Sequence, residues 1–366
     1  MKIYHSVKEI DVSRDMWQTL KESTKPIVMY GMGNGADKIL AVFSEKGIEV
    51  SDFFASDGFV RHQLFHGKTV MSYAEICERY DDFIIVVSFG SQLPEVLSNI
   101  YRLDTERELY IPDVPVVNDG ELFDLDFFKR HCDELNEACE ILADELSKET
   151  FCDVILYRLT GRLEYLRRHT VTPDEVFSGI LDAKNYRVTA DLGAYNGDSI
   201  RELAKFSTQL SCVTAFEPDA RTFKKLSAFA EENMLYRVDA YNLAAWNEDT
   251  TLEFTAGGNR NSTLIGNDAV KTGAKIKTVN AARLDSVYNG ECDYIKYDVE
   301  GAEYEAILGS RETIHREKPQ LLVSLYHRSE DIYRLPLLMK ELGYSKLYLR
   351  RYEYVPAWDL NLLAVE

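Results

Sequence analysis

Basic residues are scarce in this sequence, and paired cysteines are missing. There are 42 lysine and arginine residues against 61 aspartate and glutamate residues, which gives a formal net charge of −19 at pH 7. A protein that binds a nucleic-acid backbone or an anionic membrane surface needs a basic footprint, so this charge argues against both partners. The six cysteines include no C-x-x-C pair, which favours reduced thiols and a cytoplasmic location.

Long hydrophobic runs are also missing. The longest, at 83–89, is interrupted by a serine and is far too short to cross a bilayer. The N-terminal residues are charged and contain no apolar stretch, so no signal peptide is predicted. What the chain does have is 366 residues, 45% of them hydrophobic. This is enough for two or three domains with full cores.

The most informative stretch is Val188 to Ile200, VTADLGAYNGDSI, in which Asp191 precedes Gly193 by two positions. It predicts a buried strand, a glycine turn and the start of a helix. Ligands of open α/β sheets bind outside the carboxyl ends of the strands. A carboxylate there would repel a pyrophosphate but would suit the ammonium group of a methionine tail, which points to S-adenosyl-L-methionine rather than NAD. The alternative is an ordinary strand–helix turn. The cofactor-binding residues predicted in this stretch are Asp191, Gly193, Ala194, Tyr195, Asn196, Gly197 and Ser199.

Another acid, Glu217, follows the second predicted strand, within AFEPD. At that position both carboxylate oxygens can bind a ribose diol, so Glu217 and its neighbour Pro218 are predicted to contact the cofactor. The alternative for Glu217 is a carboxylate that caps the next helix. A third strand is predicted over Tyr241 to Trp246. There the small side chains of Ala244 and Ala245 leave room for an adenine ring, unless they simply pack under a helix.

A second glycine turn lies near the N-terminus. Gly31, Gly33 and Gly35 follow a buried strand and open a helix in a G-x-G-x-x-A pattern. The strands and helices that alternate around them predict a small parallel α/β domain. This turn could bind a dinucleotide or a nucleotide sugar, with Asp52 or Asp57 as the ribose acid. The alternative is a module without a ligand that packs against the rest of the chain.

Three segments are therefore predicted. Residues 1–118 form a Rossmann-like α/β domain that could bind a nucleotide or a nucleotide sugar. Residues 119–175 form a helical connector, because their apolar residues recur at helical spacing. Residues 176–366 form the cofactor-binding domain. An antiparallel hairpin inserted between 251 and 279 frames a polar loop, Gly257 to Thr263, which could reach the site.

Candidate catalytic residues lie at the ends of two later strands. Asp298 follows DYIKY, and His327 follows a buried strand that begins near Pro319. A hydroxyl nucleophile needs a general base, and an unperturbed histidine titrates near neutrality. Asp298 is also predicted to bind the cofactor near its methionine end. Alternatively, His327 is structural and Asp298 is held by backbone N–H groups of the following helix. Asp298, Glu300 and Glu303 form an oxygen-only cluster of the kind that binds Mg²⁺. No further acid is evident elsewhere, so no metal site is predicted.

Several motifs together carry a family resemblance. In chain order they are DLGAYNGDS, AFEPD, NLAAW, the STL of 262–264, DYIKYDVEGAE and PQLLVSLYHRSED. On these motifs the last half of the chain, about 180–366, resembles the FkbM family of S-adenosylmethionine-dependent methyltransferases. The connector ADELSKETFCDVILYRLTGRLEYL is similar to that of longer bacterial members with an N-terminal Rossmann-like domain.

The resemblance implies a class I methyltransferase fold, a mostly parallel seven-stranded Rossmann-like sheet whose last strand is antiparallel. The whole chain is then expected to be α/β, with this sheet preceded by a smaller Rossmann-like α/β domain and a helical connector. The implied activity is S-adenosylmethionine-dependent methylation of hydroxyl groups on natural products or sugars, and the substrate itself does not carry over. A sugar or glycan hydroxyl is the predicted acceptor, so the expected partner is a small molecule or a glycan. No nucleic acid and no membrane insertion are expected. The alternative is a nucleotide-sugar- or NAD-binding protein, or an oxidoreductase, that uses the N-terminal turn and carries a degenerate methyltransferase domain.

Overall fold

The computed structural model describes residues 3–117, 119–255, 263–264 and 276–366. Within these ranges the strands form three sheets. The predicted polar loop Gly257 to Thr263 lies outside the described residues, except for Thr263. In the described part of the chain, no helix has the length and apolar character needed to cross a bilayer.

The N-terminal part of the chain builds a six-stranded sheet. Its strands are β1 (Ile27–Tyr30), β2 (Asp52–Phe54), β3 (Leu64–Phe65), β4 (Lys68–Met71), β5 (Ile84–Val87) and β6 (Glu108–Tyr110). They lie in the order β3-β4-β2-β1-β5-β6, and every neighbouring pair is parallel except β3 and β4. Every residue of β1 and β5 is buried, as continuous apolar sequences predict for the centre of a parallel sheet. The accompanying helices are α1 (Met16–Glu22), α2 (Asn34–Lys46), α3 (Tyr73–Arg79) and α4 (Pro94–Glu106).

A helical segment follows this sheet. It contains α5 (Leu125–Arg130), α6 (Cys132–Glu140), α7 (Glu145–Thr160), α8 (Leu163–Leu166) and α9 (Pro173–Phe177). Helix α7 begins where the Asp144 carboxylate accepts the N–H of Ser147, and it ends at Gly161, whose φ is +64°. Most of α7 is buried, because the helix packs against the C-terminal part of the chain. The hydroxyl of Ser147 accepts the Leu349 N–H at 3.0 Å.

The C-terminal part of the chain contains the remaining elements. Its strands are β7 (Val188–Leu192), β8 (Cys212–Phe216), β9 (Arg237–Tyr241), β10 (Ala244–Ala245), β11 (Thr250–Thr255), β12 (Thr263–Leu264), β13 (Ile276–Ala282), β14 (Tyr294–Tyr297), β15 (Gln320–Ser324), β16 (Lys346–Arg351) and β17 (Leu360–Val365). Its helices are α10 (Asp198–Phe206), α11 (Ala220–Glu232), α12 (Leu284–Val287), α13 (Glu303–Leu308), α14 (Arg311–Glu317) and α15 (Asp331–Glu341).

Seven of these strands form the large sheet, in the order β16-β17-β15-β14-β7-β8-β9. Strand β17 runs antiparallel to both of its neighbours, whereas the other pairs are parallel. This arrangement confirms the predicted α/β class and the seven-stranded Rossmann-like sheet with an antiparallel last strand. Because the first strand of the sheet, β7, lies at its centre beside β14, the strand order reverses there. A crevice at the carboxyl ends of such strands is where α/β proteins bind ligands.

The sequence analysis places the third strand of this sheet, predicted over Tyr241 to Trp246, too late in the chain. Strand β9 ends at Tyr241 rather than beginning there, and Ala244 and Ala245 pair with β13 in a separate four-stranded sheet. The chain turns between the two strands because the amide of Asn242 donates hydrogen bonds to the backbone oxygens of Glu217 and of the next residue. Strands β11 and β13 of the small sheet are antiparallel, as predicted for the inserted hairpin.

The N-terminal sequence also predicts a leading amphipathic helix over residues 1–24, which is longer than the observed helix. Helix α1 covers only Met16 to Glu22, and the described residues before it, 3–15, hold a single 3₁₀ turn at Val7–Glu9. The carboxylate of Asp15 accepts the Gln18 N–H at 2.8 Å, which satisfies a free backbone donor and sets the start of the helix there.

Candidate functional site

A cavity of about 1670 Å³ lies at the carboxyl ends of β7, β8 and β14. Pockets for a single small ligand usually measure roughly 300–1,000 Å³, so this one has room for a cofactor and a second molecule. The predicted site residues that line it are Asp191, Gly193, Tyr195, Ser199, Glu217, Pro218, Ala244, Ala245, Asp298 and His327. Three predicted residues do not line it, namely Ala194, Asn196 and Gly197.

The glycines of the acid–glycine turn are explained first by packing within the chain. A Cβ added to Gly193, whose φ is +91°, would lie 1.9 Å from the backbone oxygen of Asp298. A Cβ added to Gly197 would lie 2.4 Å from the ring of Phe229. Ala194 is fully buried, so its side chain faces the core rather than a ligand. Gly193 therefore lets the ends of β7 and β14 approach closely, and Gly197 leaves room for Phe229 of α11. Both reasons differ from the predicted approach to a ligand.

Glu217 lies at the carboxyl end of β8 and is 7% exposed. One of its carboxylate oxygens accepts the Asp219 N–H at 2.7 Å. Burial raises the pKa of Glu217 to about 7. The cap of α11 is Asp219, which accepts the N–H groups of Arg221 and Thr222. Glu217 is therefore not needed as the helix cap, which was the alternative to its ribose-binding role.

Asp191 and Asp298 share the ammonium group of Lys296. The Nζ atom of Lys296 lies 3.1 Å from Asp298 and 3.8 Å from Asp191, as expected for residues 296 and 298 on one face of a strand. Ser199 donates a hydrogen bond to Oδ2 of Asp191. Burial raises the pKa of Asp191, although Lys296 opposes this shift. In the described part of the chain, the buried Oδ1 of Asp191 accepts no hydrogen bond, and it is the oxygen that faces Lys296 at 3.8 Å.

Two hydroxyl groups hold the carboxylate of Asp298. Ser324 and Tyr326 each donate to its Oδ1 atom at 3.0 Å. Burial pushes the pKa of Asp298 upward, but the charges of Lys296 and His327 outweigh it and hold the pKa well below its usual range. The group is therefore ionised. The sequence analysis did not identify Ser324 and Tyr326; their position at the end of the strand before His327 was the available signal.

His327 is 1% exposed and lies among three carboxylates. Its Nδ1 atom lies 2.9 Å from Glu303, and its Nε2 atom lies 3.7 Å from Asp298 and 3.6 Å from Glu300. Burial alone would lower the pKa of His327, but the surrounding carboxylates, Glu303 first, raise it to about 10. An imidazole that keeps its proton near neutral pH is a poor general base. The surrounding carboxylates therefore oppose the predicted base role of His327, which stays a prediction.

Three cavity residues other than glycine have left-handed backbone angles. Tyr195 has a φ of +48°, Glu300 a φ of +55° and Asp359 a φ of +58°, and all three line the cavity. Such conformations cost on the order of 1–3 kcal/mol each and concentrate at functional sites. Tyr195 and Glu300 follow β7 and β14, and Asp359 precedes the antiparallel β17, so the strain lies at the carboxyl edge of the parallel strands.

The N-terminal glycine turn also lies beside this cavity. The residues that line it come mainly from the start of α2, and not all three glycines are among them. Met32, Asn34 and Lys38 line the cavity. A Cβ on Gly35 would lie 2.2 Å from the Ser88 backbone oxygen. That glycine is required for the packing of α2 on the chain after β5.

The two acids proposed to bind ribose in the N-terminal part do not line the cavity. Asp52 is buried and accepts the hydroxyl hydrogen of Tyr80 at 2.5 Å, and Arg79 lies 3.4 Å from the same oxygen. Asp57 is exposed, in a short 3₁₀ turn. Neither position therefore supports the predicted ribose contact.

Residues 191–346 match the family model of the methyltransferase FkbM domain. This part of the chain is an FkbM methyltransferase domain. It contains β14, β15 and every predicted cofactor-binding and catalytic residue. The family resemblance found in the sequence motifs is thereby confirmed, and so is a methyltransferase activity at the level of the family.

The fold of the whole chain is similar to that of the methyltransferase FkbM from Methylobacillus flagellatus. The TM-score is 0.69 at 20% sequence identity, over 95% of this chain and 92% of that chain. A further solved structure, an rRNA methylase from Streptococcus thermophilus, has a TM-score of 0.35 at 11% identity, over 54% of this chain and 98% of that chain. No curated protein matches the chain. The first likeness shows that the FkbM domain and the sheet before it occur together in another structure.

Proposed function

We propose that this chain is an S-adenosyl-L-methionine-dependent O-methyltransferase that acts on a hydroxyl group of a sugar or glycan. The cofactor lies in the crevice beside Asp191 to Ser199, with its ribose on Glu217. Residues 1–118 and 176–366 face each other across the acceptor site, and residues 119–175 connect them. The active site is formed by the larger, C-terminal unit.

The observation that carries this proposal is the placement of Glu217. Its carboxylate is buried, lines the cavity and has one oxygen engaged by the Asp219 N–H, while Asp219 itself caps the next helix. A buried carboxylate needs partners, because its desolvation is otherwise uncompensated. The backbone N–H groups of Asp219 and Tyr195 supply part of this compensation, and the two hydroxyl groups of a ribose can add to it. Ala244 and Ala245 in the same cavity leave space for the adenine next to the ribose.

The methionine end of the cofactor suits the other side of the crevice. Oδ1 of Asp191 lacks a hydrogen-bond donor within the described ranges, so it can accept one from the cofactor's ammonium group. Methyl transfer from a sulfonium releases a neutral thioether, and the site therefore has no new negative charge to stabilise. Its main task is to align the acceptor oxygen with the methyl carbon, which can supply several kcal/mol. The ionised Asp298 is placed to accept a hydrogen bond from the acceptor hydroxyl.

The acceptor side of the cavity has walls that suit a sugar. The rings of Tyr354 and Trp358 lie 5.6 Å apart and line the cavity together with Gln92. Aromatic faces offer apolar area to the C–H surfaces of a pyranose, and Tyr and Trp also carry polar atoms at their edges. Asn34 and Lys38 add polar groups from the N-terminal part. These residues support an acceptor that is polyhydroxylated rather than planar and apolar.

Replacing Glu217 with alanine is expected to weaken the binding of S-adenosylhomocysteine at least about tenfold, because hydrogen bonds to a charged group contribute roughly 1.5–3 kcal/mol. Isothermal titration calorimetry on the purified full chain measures the effect. Glu231→Ala, which removes an exposed carboxylate from α11, serves as the control and should bind like the parent. Undiminished binding by Glu217→Ala would remove Glu217 from the ribose site.

The affinity for S-adenosylhomocysteine is also expected to depend on pH. The pKa of Glu217 is raised to about 7 by burial, and only the carboxylate accepts both ribose hydrogens. Below that pKa, binding must first release a proton, so the affinity should fall about tenfold between pH 8 and pH 6. Titrations in matched buffers measure this slope, and Glu217→Gln should flatten it. A slope that persists in Glu217→Gln would assign the titration to another group.

The oxidoreductase or nucleotide-sugar alternative is tested in the same format. A thermal-shift panel with S-adenosylhomocysteine, NAD and UDP-sugars separates the two, because a ligand that binds only the folded state raises the melting temperature. We expect the shift with S-adenosylhomocysteine. Mass spectrometry of glycans from cells with and without the protein then identifies the acceptor by its missing methyl group.

A further inference from the structure

The buried histidine of the FkbM domain presents one nitrogen to two carboxylates of the cavity. Nε2 of His327 lies 3.7 Å from Oδ1 of Asp298 and 3.6 Å from Oε2 of Glu300. All three residues line the cavity. Protein ligands lie about 2.0–2.2 Å from a transition-metal ion, so two ligands of one ion are separated by roughly 3–4.4 Å. The two measured separations fall within that range without any movement of the chain.

From this geometry we propose that Asp298, Glu300 and His327 bind a divalent transition-metal cation at the floor of the cavity. The ligand set is one imidazole nitrogen and two carboxylate oxygens. All three residues line the cavity, so the remaining coordination positions are open to an oxygen of the methyl acceptor. The proposal goes beyond the methyltransferase function and does not depend on the identity of the acceptor.

A second observation is independent of the acidic cluster. Within the described ranges, Nε2 of His327 has no hydrogen-bond partner although the side chain is 99% buried. Buried polar atoms are nearly always hydrogen-bonded, and an exception calls for an explanation such as an ion. Ser324 and Tyr326 donate hydrogen bonds to Oδ1 of Asp298, but hydroxyl hydrogens can rotate. These two donors therefore do not prevent Oδ1 from binding a cation.

Glu303 completes the arrangement from behind the histidine. It is fully buried, and its Oε1 lies 2.9 Å from Nδ1 of His327. Metal-binding histidines commonly place a carboxylate against the second ring nitrogen, which orients the ring and selects the tautomer. The same oxygen accepts the N–H groups of Val299 and Gly301, and thereby holds the loop that carries Glu300. Asp298, Glu303 and His327 each have one possible ligand atom within 4.8 Å of the other two. Glu303, however, already contacts the His327 ring and two backbone N–H groups. We therefore place Glu300 in the ligand set instead of Glu303.

The ligand types select the class of ion. Imidazole favours Zn²⁺, Fe²⁺ and similar ions, whereas carboxylates alone favour Mg²⁺ and Ca²⁺. A metal ion binds the neutral imidazole, so the ion takes the place of the proton that His327 otherwise keeps. The three carboxylates near His327 then outnumber the ammonium of Lys296, the cation nearest to Asp298, so a dication balances the surplus negative charge. Mn²⁺ and Zn²⁺ are therefore the appropriate probes. Mg²⁺ is the comparison ion, because a site with an imidazole ligand should bind it more weakly.

The test is calorimetric titration of the chelator-treated full chain with MnCl₂, ZnCl₂ and MgCl₂. We expect one Mn²⁺ or Zn²⁺ per chain and at least tenfold weaker binding of Mg²⁺. Because His327 is buried and its replacement could unfold the domain, the informative variant is Glu300→Gln, whose side chain is 41% exposed. Loss of a ligand charge there should lower the Mn²⁺ affinity at least about tenfold. Electron paramagnetic resonance of bound Mn²⁺ provides a second readout.

Glu305→Gln is the matched control. It removes the same charge from α13, two residues from Glu303, but Glu305 forms no ion pair with His327 among the described residues. The control should bind Mn²⁺ like the parent. No one-to-one binding in the parent, equal affinity for Mg²⁺, or an equal effect of both variants would each overturn the proposal. Titration with S-adenosylhomocysteine is run on the same samples, so that loss of the cofactor site and loss of the metal site are distinguished.

Discussion

Replacing Gly193 with alanine is expected to lower the free energy of unfolding by about 3 kcal/mol, because two separate costs add. The residue has a φ of +91°, and its added Cβ would lie 1.9 Å from the backbone oxygen of Asp298. A strained backbone costs on the order of 1–3 kcal/mol, and an overpacked contact adds a similar amount. The contact joins the ends of β7 and β14, so the backbone must separate at the carboxyl edge where the cofactor is proposed to bind.

Gly33→Ala separates the two costs. Gly33 also has a positive φ, +105°, but a Cβ there meets no described atom within 4 Å. This variant should therefore lose only the backbone term, roughly half of the effect of Gly193→Ala. Equilibrium urea unfolding followed by circular dichroism measures both. Equal losses would mean that the approach of Gly193 to Asp298 contributes nothing, whereas a loss of S-adenosylhomocysteine affinity confined to Gly193→Ala would support the position of the cofactor.

Replacing Lys296 with methionine is expected to cost about 3 kcal/mol as well, for an electrostatic reason. Its ammonium lies 3.1 Å from Asp298 and 3.8 Å from Asp191, and its side chain is 17% exposed. Removing one partner of a buried ion pair leaves an uncompensated charge, which typically destabilises a protein by roughly 3–5 kcal/mol. Here two carboxylates would lose their common partner. The affinity for S-adenosylhomocysteine should change in the same variant, because Asp191 is proposed to contact the cofactor.

Two comparisons make the Lys296 prediction specific. Lys340→Met removes a lysine whose ion pair with Glu137 is more than half exposed on both sides, and it should change stability by no more than about 0.5 kcal/mol. The double variant Lys296→Met/Asp298→Asn also removes one of the two carboxylates that lost their partner. Its free energy of unfolding should be at least about 1 kcal/mol higher than that of Lys296→Met. If the double variant is less stable than Lys296→Met, the pair is not the source of the effect.

The sequence motifs predicted the sheet well because each is a local signal. Buried strands such as β5 are continuous apolar runs, and the glycine turns mark the points where strands give way to helices. The order of the motifs along the chain then implied the class I topology, including the antiparallel β17. The same reasoning misplaced the third strand, because the turn at Asn242 depends on the backbone oxygens of Glu217 and Pro218, which are 24 or more residues away in the chain.

The catalytic assignments were less predictable from sequence. A histidine that follows a strand is predicted to be a general base when its pKa is assumed to be unperturbed. Only the fold places Glu303 and Glu300 against the two ring nitrogens of His327 and raises its pKa. Similarly, Gly193 reads as a ligand contact until β14 is placed beside β7. Asp298 stays a prediction for the catalytic site, as do the cofactor contacts of Asp191, Glu217, Ala244 and Ala245.

The linear chain alone specified the buried apolar strands, the glycine turns that follow them and most of the acids at strand ends, because these features depend on neighbours within a few positions. Its motifs also carried the family. Tertiary structure decided which acids share a cation, which glycine touches another backbone and whether a histidine keeps its proton. Those properties depend on the distance between groups brought together by the strand order β14-β7-β8, and electrostatic and steric energies change steeply over a few ångströms.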